Sequence, residues 1–309
     1  MKKAILSLVL ILPLLLSSCE CPVSDVIDRY ASTSFSDPFD DVKENTFLTD
    51  KFSWNVNGGN DFSFVIITDE HFGAKGTWGT SAFVSWLDGI KSDITFVASL
   101  GDQTDYSRKS ELQSYIDLIV TPVEAMSIPV VSIMGNHDSV NGGLDDYKSM
   151  LGYEHSFFRF SCNDIEFYVL DSSLRTLGRK QLEYFKAAMN VPKTKKRVIL
   201  SHVPIYGTLS EAWGTLYDSL ERARIINAYH DGKVSLSLSG HVHRGIDPFE
   251  MFEGCNEYVL KSFIGENGGS DYPRWYRVDY DVSESKLTFT CYYYKNGVVS
   301  SDESRTLSL

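Results

Sequence analysis

Phe62-Ser63-Phe64-Val65-Ile66-Ile67-Thr68-Asp69-Glu70-His71 is the stretch from which the rest of the chain can be read. Its apolar part is short and rich in aromatic and β-branched residues, which suits a buried strand better than a helix. A carboxylate and an imidazole, Asp69 and His71, follow it at once. The same order recurs four times downstream. The apolar run 94–97 leads to Gly101-Asp102-Gln103-Thr104-Asp105, and 130–133 leads to Gly135-Asn136-His137-Asp138. Residues 198–200 lead to Ser201-His202-Val203-Pro204, and the alternating 234–238 to Gly240-His241-Val242-His243. Five of the seven histidines lie in these motifs. Polar groups thus gather where buried strands end, which is where open α/β sheets bind ligands.

Outward from these motifs, strand and helix patterns alternate. Strands are expected at 62–67, 94–99, 130–134, 197–201 and 234–239, and helices at 80–91, 108–126, 178–190 and 215–230. Short strands at 156–160 and 165–170 flank Ser161-Cys162-Asn163-Asp164, a hairpin turn. From residue 257 onward the pattern is all strand: 258–263, 275–280, 287–293 and a last one near 300–307. Alternation of this kind predicts a layered α/β fold, and the closing strands a second sheet packed on the first. No G-x-G-x-x-G follows the first strand, which argues against a dinucleotide-binding domain.

The 309 residues carry a formal net charge of −12. The densest basic run, Lys193-Thr194-Lys195-Lys196-Arg197, reads as the solvated entrance to a strand. Long duplex nucleic acid is therefore excluded as a partner, because neutralising phosphates needs a basic footprint. At the N-terminus, Lys2 and Lys3 precede an apolar run over 4–16, too short to span a bilayer and suited to a signal peptide. Leu16-Ser17-Ser18-Cys19 then resembles a bacterial lipoprotein signal. That resemblance implies a signal peptide over 1–18, a lipidated Cys19 as membrane anchor, a tether over 19–50 and a folded domain over 51–309. The protein would then be an exported lipoprotein of the cell envelope, periplasmic or surface-exposed; ordinary secretion is the alternative. Cys21, Cys162, Cys255 and Cys291 lack zinc-site spacing, and both disulfides and buried thiols stay open for them.

Asp69, His71, Asp102, Asn136, His202, His241 and His243 offer carboxylate, imidazole and amide donors and no thiolate. That set suits Mn, Fe, Zn or Co and argues against a structural cysteine-zinc site. Seven donors exceed the needs of one ion and suit two ions sharing a carboxylate. Such a pair can activate water and clamp a phosphoryl group for in-line displacement.

With these residues in view, the chain resembles the calcineurin-like metallophosphoesterases over about residues 61–246. Their D-x-H, G-D-x-x-[DG], G-N-H-[DE], lone His and G-H-x-H elements are all present, in order. The resemblance implies Asp69, His71 and His243 as ligands of one ion, Asn136, His202 and His241 as ligands of the other, and Asp102 as the bridge. It implies His137 as the histidine facing the substrate phosphate, with Asp138 orienting it. The implied fold is a four-layer α-β-β-α sandwich of two mixed sheets, with a dinuclear metal site on loops at the strand ends. The implied activity is hydrolysis of small phosphomonoesters or phosphodiesters by in-line attack of metal-bound hydroxide. A catalytically silent lipoprotein that binds a phosphorylated ligand is the alternative.

Some residues depart from relatives or fall outside the motifs. Asp105 and His71 stand where purple acid phosphatases have a metal-bound tyrosine pattern, so no iron–tyrosinate site is expected. Asp105 and Glu70 read as loop residues, and His155 and His230 as surface residues. Trp78, Tyr106, Arg108, Tyr206, Trp213 and the segment 271–276 are candidates for substrate contact.

Overall fold

A computed structural model describes residues 39, 42, 46–56, 59–206, 215–216, 218–265 and 271–309. The expectations for residues 1–18, Cys19, Cys21, Trp213 and most of the tether lie outside the described residues. Fifteen strands follow in chain order: β1 (Asp50–Trp54), β2 (Phe62–Ile67), β3 (Thr77–Trp78), β4 (Ile94–Ser99), β5 (Val130–Ser132), β6 (Phe158–Cys162), β7 (Ile165–Leu170), β8 (Lys196–Ser201), β9 (Val234–Ser239), β10 (Ile246–Phe252), β11 (Cys255–Val259), β12 (Ile264–Gly265), β13 (Arg274–Asp281), β14 (Lys286–Lys295) and β15 (Val298–Ser308). One mixed sheet has the order β1-β6-β7-β8-β9-β11-β10, and the other β15-β14-β13-β2-β4-β5; β3 and β12 pair by themselves.

Alternation along each strand explains why the two sheets stack. Phe64, Ile66, Phe96 and Ala98 of one sheet meet Phe160, Phe167, Val198 and Leu200 of the other in a shared core. Phe64 stacks on Phe96 at 4.7 Å, and Phe160 on Phe167 at 4.8 Å. The intervening residues point the opposite way. Val65, Ile67 and Val97 pack on α1 (Thr80–Asp88) and α2 (Lys109–Tyr115), through Phe83, Leu87, Leu112 and Tyr115. On the other sheet's outer face, Tyr168 and Ile199 pack on α5 (Gly178–Met189) and α6 (Ser219–Asp231), through Phe185, Ile225 and Tyr229. Each such fully buried side chain contributes about 1.5–3 kcal/mol. The result is the expected four-layer α-β-β-α sandwich.

Several local features differ from the sequence reading. The helix expected over 108–126 is interrupted: a π-turn (Ile116–Val120) separates α2 from α3 (Thr121–Ala125). Pro122 supplies no N–H, and the wider turn accommodates it. The helix α4 (Gly143–Leu151) and strand β10 were not anticipated. Of the strand expected over 258–263, only 258–259 are strand, as the end of β11; the next residues run past the motif loops to β12. The expected tether contributes packing at its end: Phe39, Val42 and Phe47 are buried, with Phe39 and Phe47 each 5.0 Å from Phe157. Cys162, Cys255 and Cys291 are buried free thiols. Among the described residues, no helix is long and apolar enough to cross a membrane.

Candidate metal centre

Parallel register brings the motif loops to one edge. Ile67 pairs with Ser99, and Ser99 with Ser132, so β2, β4 and β5 end together. Leu170 pairs with Ser201, and Leu200 with Leu238, so β7, β8 and β9 do the same in the other sheet. Hydrogen bonds link neighbouring loops within each edge, and the His241 N–H crosses between the edges to the Asp69 carboxylate (3.1 Å). The Asp69 N–H donates to Gly101 O (2.9 Å), that of Gly240 to His202 O (3.0 Å) and that of Ile264 to Asp69 O (3.1 Å). Two motif glycines are required by close approach. A Cβ on Gly101, whose φ is 106°, would lie 2.6 Å from His202 Nδ1, and one on Gly135 would lie 2.1 Å from Asp102 N.

The seven expected ligands converge. His71 Nε2 lies 3.1 Å from His243 Nε2, and Asp69 Oδ1 lies 3.4 Å from His243 Nε2. His202 Nε2 lies 3.1 Å from both Asp102 Oδ2 and Asn136 Oδ1, and the His202 and His241 ring centres are 5.1 Å apart. Asp102 Oδ2 is also 3.6 Å from His71 Nε2, so this carboxylate stands between the groups Asp69–His71–His243 and Asp102–His202–His241. In each of those groups the donor atoms lie within 4.8 Å of one another.

The donor chemistry fits divalent cations. The His202 Nδ1–H donates to Leu100 O (2.9 Å), an atom that can only accept, so Nε2 is the nitrogen that would give up its proton to hold a cation. His71 Nδ1 lies 3.4 Å from Asp105 Oδ1, a carboxylate that favours a proton on that nitrogen. Two inward Nε2 atoms at 3.1 Å, flanked by carboxylates, form a donor set for a shared cation. Electrostatics agree. Burial pushes the Asp69 carboxyl up, but the His243 and His202 imidazoles together outweigh it and hold the group down to about 2. Burial likewise opposes ionisation of Asp102, and His202 and His137 hold it well below the usual range. Burial disfavours the His202 imidazolium, yet Asp102 holds its pKa up at about 9 in the metal-free chain. Desolvation and then His202 hold His241 down to about 3, hence neutral and ready to ligate.

His137 sits at the mouth with its side chain 33% exposed, 4.7 Å from the His71 ring. One expectation is corrected here. Asp138 does not orient the His137 ring; its carboxylate accepts from Gly135 N (2.9 Å), Thr104 N (2.8 Å) and Thr104 Oγ1 (2.8 Å), tying two motif loops together. The ring is held by the Asp105 carbonyl, 2.7 Å from His137 Nδ1. Asp105 therefore serves both histidines, through its side chain and its main chain, a role that motif spacing did not disclose. Glu70 is fully buried, not solvated, and accepts from Ser99 Oγ at 2.7 Å. Burial pushes its carboxyl well above the ordinary value. His230 is exposed as expected, whereas His155 is half-buried beside Phe157. Trp275 and Tyr276 belong to the core and leave the list of substrate contacts, while Tyr206 is 47% exposed.

Comparison with known proteins gives the site its context. The family model described as calcineurin-like phosphoesterase matches residues 62–245. A purple acid phosphatase from yellow lupin (Lupinus luteus) seeds is similar in fold, with 14% identity and a TM-score of 0.61 over 81% of this chain and 54% of that one. This chain thus spans about half of the lupin protein. A dimetal phosphatase from Danio rerio gives 14% identity and a TM-score of 0.58 over 80% of this chain and 98% of that one. GAP50, the anchor in the inner membrane complex of Plasmodium, gives 14% identity and a TM-score of 0.57 over 81% and 89%. A search of curated protein sequences returns no match. These likenesses show the fold, and the matched model covers all five ligand-bearing motifs, so the chain belongs to the calcineurin-like phosphoesterase family.

Proposed function

We propose that this protein hydrolyses phosphomonoesters or phosphodiesters at the site built by Asp69, His71, Asp102, Asn136, His202, His241 and His243, and that Cys19 tethers it to a bacterial envelope membrane. The observation that carries the hydrolytic reading is the pair of donor clusters on either side of Asp102, with the His137 ring beside them. Bound divalent ions supply a water of lowered pKa and positive charge for the phosphoryl oxygens. The chain's own groups do the rest. Leu100 O fixes which His202 nitrogen keeps its proton, and Asp105 lies beside His71 Nδ1. The His137 Nδ1–H is committed to Asp105 O, so a proton can come and go only at Nε2. In its protonated form Nε2 donates to the leaving oxygen, a contribution of about 10²–10⁴ in rate.

The test uses the full chain in detergent with Mn²⁺, comparing p-nitrophenyl phosphate, bis-p-nitrophenyl phosphate and an alkyl phosphate. Turnover of at least one nitrophenyl ester is expected, with the preferred one assigning mono- or diester chemistry. His137→Ala is expected to lose about 100-fold on the activated ester and more on the alkyl ester, with metal content unchanged. Equal losses on both would remove the proton-donor role, and absence of turnover in the metal-loaded wild type would remove the hydrolytic reading.

A further inference from the structure

The loop 105–108 lies between two of the motif loops: it starts at the carbonyl that holds His137, and its anchor Glu111 packs against Gly73, two residues past His71, where a Cβ would lie 2.5 Å from Glu111 Oε1. From Asp105 the next residues lead to Arg108. The Arg108 guanidinium lies over the Tyr106 ring at 4.6 Å and donates from Nη1 to Glu111 Oε1 at 2.8 Å. Glu111 is itself buried, its side chain 6% exposed, and its other oxygen accepts from Tyr106 N (2.8 Å) and Arg108 N (3.2 Å). One carboxylate thus fixes both the loop and the cation that the loop displays. The Arg108 side chain stays 61% exposed, and among the described residues its Nε and Nη2 have no protein partner. A long, costly-to-order side chain has been immobilised with part of its fork facing solvent, three residues from the group that holds the leaving-side histidine.

We infer that Arg108 determines specificity on the leaving side, reading an anionic group carried by the leaving portion of the substrate. This rests on the hydrolytic reading above and narrows it to esters or anhydrides whose leaving group bears a phosphate or a carboxylate. A guanidinium presents paired N–H donors that match such planar or tetrahedral oxyanions. In a chain with a formal charge of −12, a fixed guanidinium beside the motif loops also favours the approach of a second anion.

The probes are p-nitrophenyl phosphate, whose leaving group has no second anion of this kind, inorganic pyrophosphate, whose leaving group is phosphate, and 2-phosphoglycolate, whose leaving group bears a carboxylate. The readout is kcat/KM for each anionic probe divided by that for p-nitrophenyl phosphate. Arg108→Gln is expected to lower the ratio about tenfold or more for pyrophosphate, 2-phosphoglycolate or both, mainly through KM, since a charge-assisted bond is lost. Arg108→Lys is expected to restore part of it. The probe whose ratio falls identifies the anion. Equal loss on all three substrates would show that Arg108 only holds the loop and would overturn the inference. So would wild-type turnover of p-nitrophenyl phosphate with neither anionic probe turned over. Absence of turnover of any probe would overturn the hydrolytic reading and the inference with it.

Discussion

Asp69, His71, Asp102 and His241 all hold left-handed backbone, with φ of 55°, 46°, 56° and 67°. For residues other than glycine this costs about 1–2 kcal/mol each. Four of the seven candidate ligands carrying that cost places the strain at the site, where surrounding contacts must impose it. Gly135 is part of that imposition, since its α-carbon packs on the Asp102 main chain. Gly135→Ala would place a methyl 2.1 Å from Asp102 N, a backbone atom that cannot rotate away. We expect the variant to fold, to bind less than the full complement of metal and to lose activity on p-nitrophenyl phosphate about 100-fold or more. Elemental analysis beside a circular dichroism melt checks this, and full metal content would show that the loop yields. The residues that converge were legible in the sequence because each combines a side chain able to hold a metal with a strand end. Asp105 and Glu70 were not: whether a loop carboxylate is buried, and which histidine it faces, depends on how two distant loops meet.

Elements were legible to the extent that local pattern decides them. Strands β2, β4, β7 and β8 announce themselves because both faces are buried and their runs are mostly apolar, and β9 does so by strict alternation of apolar residues with serine. Strand β10 does not, because it is a half-exposed edge containing Pro248, and its partner β11 supplies the reason for its conformation. The π-turn before Pro122 was equally hidden, since helical periodicity runs straight through it. Between elements, Glu221 at the start of α6 latches that helix to the turn opening α5, accepting from Thr176 Oγ1 (3.0 Å) and Leu177 N (3.1 Å). Burial raises the Glu221 carboxyl above its ordinary value, although these two bonds oppose the shift. A carboxyl raised in the folded state contributes stability that is fully present below the ordinary value, about 4.3, and lost as pH rises through the folded one. Glu221→Gln keeps the accepting oxygen and cannot ionise. Its stability relative to wild type is therefore expected to increase from about pH 4 upward and then level off. Urea titrations at several pH values test this, and a difference independent of pH would contradict it.

At the scale of the whole molecule, two sheets placed back to back bring five loops to one edge, and that convergence makes the site. The tether is proposed from Cys19 and the residues before it, and its test is direct. The full chain expressed in bacteria is expected to partition into the detergent phase, and Cys19→Ser into the aqueous phase; the same partition for both would remove the lipid anchor.

The central claim is that Asp102 joins two ion sites. It is tested most directly by counting metal ions per chain, by elemental analysis after Mn²⁺ loading and desalting, in wild type and in Asp102→Ala. The account predicts two ions per folded wild-type chain and clearly fewer in the variant, with its circular dichroism spectrum preserved. One ion or none in the wild type, or equal occupancy in the two proteins, would contradict it.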